Sequence, residues 1–63
     1  MTKWQLMQAF LTRQPCDIRH SRGTAHGVIE IIQHEDGSGS SFNVYYRRWS
    51  DNKIVTVYVR TVD

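Results

Sequence analysis

The chain has 63 residues, 40% of them apolar and 22% charged, and its eight Lys and Arg exceed its six Asp and Glu by two. That length allows one domain, residues 1–63, and disfavours a two-layer enzyme with a deep cleft. No apolar run approaches the roughly 20 residues of a membrane span, and a single cysteine excludes an intrachain disulfide framework. The N-terminus lacks the apolar region of a secretory signal, so we expect a small cytoplasmic protein with no membrane partner.

The N-terminal segment predicts an amphipathic helix of about twelve residues, a length that is marginal for an isolated helix in water. Thr2 and Gln5 have the spacing of a capping box. Pro15 disfavours helical geometry at Gln14 and ends the helix there. The apolar side chains fall on one arc of about 160°, and we expect this arc to dock on the rest of the domain. Its members are Trp4, Leu6, Met7, Phe10 and Leu11.

Residues 16–27 show no clean periodicity, and they contain small and polar residues that favour turns. A short strand at residues 17–20 would pair with the following segment through a turn near Arg22. The sequence therefore leaves two alternatives for this region, a loop or one additional strand.

From residue 28 onward the chain is rich in β-branched and aromatic residues, which favour strands. Three strands are predicted, at residues 28–34, 41–49 and 54–61, and polar turns connect them at residues 35–40 and 50–53. Short connections join neighbouring strands in antiparallel order. The predicted fold is α+β, with one N-terminal helix packed on a three-stranded antiparallel meander (α-β-β-β) and, as an alternative, the extra strand at residues 17–20.

The two faces of this sheet differ in composition, because alternate residues of a strand point to opposite sides. The predicted core face consists of Ile29, Ile31, Phe42, Val44, Tyr46, Val55, Val57 and Val59. The opposite face gathers Tyr45, Arg47, Trp49, Thr56, Tyr58 and Arg60. One helix cannot cover both sides of a sheet, and clustered exposed aromatic side chains favour a partner.

Nucleic-acid binding is the first functional hypothesis, because aromatic rings on an open sheet stack bases while arginines bind phosphates. The stacking candidates are Tyr45, Trp49 and Tyr58, and the phosphate candidates are Arg47, Arg48 and Arg60 with Arg19 and Arg22 in the loop. The charge distribution supports this in part. Residues 1–27 hold four basic side chains against one acidic, whereas residues 28–63 hold four against five, and nucleic-acid binders usually carry a larger basic excess.

A protein-interaction module is the alternative hypothesis of equal weight, since Tyr, Trp and Arg are also enriched at interface hot spots. The chain would then act as a small regulator or inhibitor of a larger protein, or as a homodimer. The dimer would use the same sheet face, or an edge strand that pairs with a second copy. A simpler interpretation also exists, in which the aromatic side chains only cover the core and stabilise the sheet through cross-strand pairs.

Metal binding and catalysis are disfavoured by the residue pattern. Cys16, His20, His26 and His34 are the only candidate metal ligands of soft type, and structural zinc sites normally use two or more cysteines in tight pairs. Cys16 with a neighbouring histidine would need a third orienting group to act as a nucleophile. We therefore predict no enzymatic activity, no metal or other cofactor and no small-molecule substrate.

Overall fold

The computed structural model describes residues 1–34 and 39–62. Most of the predicted turn at residues 35–40 therefore lies outside the described residues. The elements are α1 (Lys3–Thr12), β1 (Cys16–His20), β2 (Gly23–His34), β3 (Ser41–Arg48) and β4 (Ile54–Arg60). The strands form one antiparallel sheet in the order β1-β2-β3-β4. This confirms the predicted α+β fold, and it settles the alternative for residues 16–27 in favour of an additional strand.

The helix begins at the predicted capping box. The Thr2 hydroxyl accepts a hydrogen bond from the Gln5 backbone N–H at 3.1 Å, and the Gln5 side chain accepts one from the Thr2 N–H at 2.9 Å. The helix ends at Arg13, which has a left-handed backbone (φ 55°) and donates its N–H to the Ala9 carbonyl. These bonds satisfy backbone groups that a helix leaves unpaired at its ends.

The buried core lies on the concave side of a curled sheet. Cα atoms of β1 lie within 8 Å of Cα atoms of β4, although these two strands are the opposite edges of the sheet. The predicted alternation on β3 is confirmed, because Phe42, Val44 and Tyr46 are buried. The remaining buried apolar side chains come from all the other elements, and they are Leu6, Ile18, Ala25, Ile29 and Val59.

A bulge in β2 places one isoleucine on the opposite face of the sheet from the one that the sequence predicts. Ile29 pairs with Tyr46 and Ile31 pairs with the next residue, Tyr45, so β2 holds an extra residue, Glu30, at this point. The extra residue reverses the alternation along the strand. Ile31 is consequently half-exposed on the outer face instead of in the core, and Ile32 packs against the core in its place.

Arg13 ties the end of the helix to this bulge. Its guanidinium donates hydrogen bonds of 2.9 Å to the carbonyls of Ile29 and Glu30, and it lies 4.4 Å from the centre of the Phe10 ring. A bulge disrupts the ladder of backbone hydrogen bonds, so these two donors compensate for it. The helix is thereby held mainly against β2.

The helix contacts the sheet through a narrower strip than the sequence predicts. Leu6 is fully buried, and Ala9 and Phe10 are partly buried against the core. The prediction was wrong for three members of the apolar arc, because Trp4 is 73% exposed, Met7 36% and Leu11 71%. A ten-residue helix on a small, strongly curled sheet buries one edge of a wide apolar arc and leaves the rest in solvent.

Candidate functional site

The pairing of the strands places most of the predicted site residues on the convex outer face. Tyr45 lies opposite Thr56 and Arg47 opposite Ile54. Trp49 follows the end of β3, and its N–H donates to the His26 carbonyl at 3.0 Å, which continues the pairing with β2. Cross-strand partners share one face, so the aromatic and basic side chains of the hypothesis do point to one side of the sheet. They are Tyr45, Arg47, Trp49, Tyr58 and Arg60.

Aliphatic side chains lie among these aromatic and basic side chains on the outer face. Ile31 and Ile54 are each about half-exposed, and Val28 lies beside them in the same face. Tyr45 is half-buried, and its hydroxyl donates to the Gln33 side chain at 3.1 Å. Aliphatic side chains neither stack on bases nor bind phosphates, so the parts of the outer face around Ile31 and Ile54 fit an apolar surface better than a nucleic acid.

Two of the predicted phosphate ligands have carboxylate partners within the chain. Arg47 lies 3.7 Å from Glu30, and Arg48 holds Asp51 with two hydrogen bonds of 2.9 and 2.6 Å. The hydrogen bond from Arg48 lowers the pKa of Asp51 below its usual range. Arg48 also belongs to the side of β3 that carries Phe42 and Tyr46, because it alternates with Arg47. These two arginines are therefore poor candidates for binding an external anion.

Trp49 takes part in a small polar cluster that the sequence does not reveal. Its ring meets the His26 ring edge to face, with centroids 5.7 Å apart. His26 Nδ1 in turn lies 2.7 Å from Asp17 Oδ1, and both side chains are well exposed. Sequence alone gives no signal for this cluster, because it depends on the register between β1 and β2.

The curl of the sheet creates a second surface, which we call the seam: the groove between β1 with its following turn and β4. One part of the seam encloses about 500 Å³. A neighbouring part of about 480 Å³ continues along β4 toward Val55. The polar and aromatic side chains that line the seam are Arg19, His20, Ser21, Arg22, Tyr46, Thr56, Tyr58 and Arg60.

The seam is basic and carries no compensating carboxylate among the side chains described as lining it. Arg19, Arg22 and Arg60 are exposed, and none of them forms an ion pair within residues 1–34 and 39–62. Tyr58 is 42% exposed beside them. The seam thus combines an aromatic ring with three guanidinium groups whose charges are available to an external anion.

His20 and Ser21 are members of the seam that the sequence reasoning missed. The His20 ring accepts a hydrogen bond of 3.3 Å from the Arg22 backbone N–H, and this contact supports the turn that carries Arg22. Arg19 and Arg60 are 41 positions apart in the sequence. Only the curl of the sheet brings them together, and no local pattern in the sequence predicts such a curl.

The candidate metal ligands and the single thiol occupy separate surroundings. Among the described residues, no three side chains of Cys, His, Asp and Glu come together in a way that could hold a metal ion. Burial, and secondarily the charge of Asp17, raises the pKa of the Cys16 thiol. A raised pKa keeps the thiol protonated, whereas a nucleophile needs the thiolate.

Comparison of the chain with protein-family models, curated proteins and solved structures finds no match. In the described part of the chain, α1 is too short to traverse a lipid bilayer. The residues of the seam and of the outer face are therefore the basis for assigning a function.

Proposed function

We propose that this protein binds single-stranded nucleic acid along the seam. The observation that carries the proposal is that Arg19, Tyr58 and Arg60 line one groove with no described carboxylate among the lining residues. Proteins that bind single strands combine a positively charged groove for the backbone with aromatic side chains on which bases stack. The seam offers both in one place.

Each side chain of the seam has a distinct role in this proposal. Arg19 and Arg60 flank the groove from opposite edge strands and bind successive phosphates, with charge-assisted hydrogen bonds. The Tyr58 ring stacks on one base. Arg22 extends the basic track beyond the turn. Seven residues of β4 span about 23 Å, which fits a site of few nucleotides, at the low end of the range of about 4–16 known for small single-strand binders.

The seam also explains why a modest net charge of the whole chain is sufficient for binding a nucleic acid. Only two charges separate the basic and acidic totals, but Glu30 and Asp51 pair with arginines on β3. These two acidic side chains thus offset basic groups that do not line the seam. The local charge at the seam is larger than the bulk number suggests, and local fields steer anionic ligands.

The test is a fluorescence-anisotropy titration with a labelled single strand of about 12 nucleotides. Arg19→Ala with Arg60→Ala should lower the affinity by at least about tenfold, because each charge-assisted hydrogen bond is worth about 1.5–3 kcal/mol before solvent screening. The slope of log K against log salt should become shallower by about 1.4, since each phosphate contact on a single strand contributes about 0.7.

The matched control is Arg47→Ala with Arg48→Ala, which changes the net charge by the same amount at two residues that do not line the seam. This control should retain most of the affinity and the wild-type salt slope. The proposal is wrong if no oligonucleotide binds at low salt, or if the control loses as much affinity as the seam variant.

Protein interaction is the second candidate, and it depends on a different surface. Ile31, Trp49 and Ile54 are all at least half-exposed on the outer face, and exposed apolar patches commonly mark contacts with other proteins. Ile31→Gln with Ile54→Gln removes these apolar side chains without changing the net charge, and it should therefore leave oligonucleotide binding at the seam intact. A titration with no binding at low salt would leave the outer face as the better-supported functional surface.

A further inference from the structure

Part of the apolar arc of the helix is covered by nothing in the described structure. Trp4 and Leu11 are more than two-thirds exposed and Met7 is 36% exposed. We call these three residues the helix stripe. At 100° per residue they fall within about 60° of one another, more than about 100° away from Leu6 and Ala9 on the buried side. The stripe is therefore the edge of the apolar arc that the sheet leaves uncovered, and an apolar arc of a helix normally faces a packing partner.

The spacing of the helix stripe is that of a helix pair. Its members are separated by three and then four residues, which is the repeat by which two helices pack side chains into each other. The stripe is also nearly symmetric about Met7. An antiparallel copy of the same helix would place Trp4 opposite Leu11 of the second copy, and the two Met7 side chains would meet near the two-fold axis.

We propose that the helix stripe is the interface of an antiparallel homodimer. The interface would be isologous, so each copy contributes the same residues. Met7 suits the axis, because its unbranched side chain adapts to an irregular gap. The stripe lies on α1, whereas the arginines and Tyr58 of the seam lie on β1, the following turn and β4, so we expect dimerisation to leave the seam of each copy open.

The charges of the helix favour a second copy over a membrane surface. Lys3 is the one charged residue of α1, and the helix has no acidic residue in its first turn and no basic residue in its last. An interfacial membrane helix would need a polar face rich in Lys and Arg, whereas this one presents Gln8 and Thr12. Antiparallel pairing brings the opposite ends of two helix dipoles together, and it separates the two lysines.

The size of the interface predicts a weak dimer. A stable interface buries about 800 Å² per partner, which is nearly a fifth of the 4289 Å² surface of this chain. Three side chains cover less than this, so the dimer belongs to the class of small, transient interfaces. We expect a dissociation constant on the order of 10⁻⁴ M.

Sedimentation equilibrium over protein concentrations from about 10 µM to 1 mM tests the proposal, because the range brackets that dissociation constant. The wild-type mass should rise from 7.4 kDa toward twice that value. Trp4→Gln with Leu11→Gln should remain at the mass of one chain. Ile31→Gln with Ile54→Gln is the matched control, since it removes two half-exposed apolar side chains from the outer face, and it should dimerise like the wild type.

Two results would overturn the dimer. One is a wild-type mass that stays at 7.4 kDa throughout, and the other is a control variant that loses association while the helix variant keeps it. A crosslinking measurement guards against a helix variant that does not fold. In a Cys16→Ser background, Met7→Cys should form an intermolecular disulfide on mild oxidation, and Thr12→Cys should form much less.

Discussion

The arginines of the seam and those of β3 are chemically identical but differ in what surrounds them. Arg47 and Arg48 each lie against a carboxylate of the same chain. Arg19 and Arg60 line a groove whose described residues include no carboxylate. A guanidinium that is already paired gains little from an external phosphate, because it first has to lose its partner. Pairing and position thus decide which arginines of a small protein can bind a polyanion.

The same contrast applies to the tyrosines of the outer face. Tyr45 is half-buried in the middle of the sheet, and its hydroxyl bonds to Gln33. Tyr58 belongs to the edge strand β4, and it is 42% exposed in the groove that Arg19 and Arg60 also line. An edge position therefore gives an aromatic ring both the room and the charged neighbours that stacking on a nucleotide requires.

The largest expected effect comes from a substitution at Gly27, because it would destabilise the fold that supports both the seam and the outer face. A Cβ at this position would collide with the Arg47 carbonyl oxygen and approach the Tyr46 ring to 2.9 Å. Gly27→Ala therefore separates β2 from β3, and we expect a loss of about 2–4 kcal/mol, typical of backbone and overpacking mutations. For a domain of this size the melting temperature should fall by about 10 °C or more.

Thr24→Ala is the control for Gly27, because Thr24 is exposed on the same strand. It should change the melting temperature by no more than about 4 °C. Equal effects of the two substitutions would show that the close approach at Gly27 is not important for stability.

The next largest effect distinguishes the seam from the outer face as the binding site, by substitution of one tyrosine in each. Tyr58→Ala should weaken oligonucleotide binding by about 5–150-fold, because stacking of one base on an aromatic ring is worth about 1–3 kcal/mol. Tyr45→Ala should change the affinity by less than about threefold, since its ring lies away from the seam. Anisotropy titrations of both variants give the comparison, and a larger loss for Tyr45 would move the proposed site to the middle of the outer face.

The strands and their faces were largely predictable, and the features that create the seam were not. The Thr2 capping box and the alternation along β3 are local patterns, so the sequence shows them directly. The bulge at Glu30 is invisible in the run from Val28 to Ile32, because several registers bury an equal number of isoleucines. The curl depends on how all four strands pack around Leu6 and Ile18, and it alone sets Arg19 beside Arg60. Local patterns therefore predict elements better than they predict which edges meet.

The smallest expected effect comes from a substitution at Asp51. It tests whether the ion pairing of an arginine or its position in the fold matters more for nucleic-acid binding. Because Arg48 lowers the pKa of Asp51 in the folded protein, their contact stabilises the fold above the unfolded pKa of about 3.9. That stabilisation is lost as the pH falls through the lower folded value. The melting temperatures of the wild type and Asp51→Asn should therefore differ slightly at pH 7 and converge below about pH 3.

Asp51→Asn also releases Arg48 without moving it to the seam. If an unpaired arginine were sufficient for binding, this variant would bind an oligonucleotide clearly more tightly than the wild type. If the seam is the site, the affinity at moderate salt should stay within about twofold of the wild-type value, since Arg48 does not line the seam and its added charge is exposed to screening by salt. An increase in affinity well beyond twofold would show that the ion pair with Asp51 prevents Arg48 from binding the oligonucleotide. The turn between β3 and β4 would then belong to the binding surface.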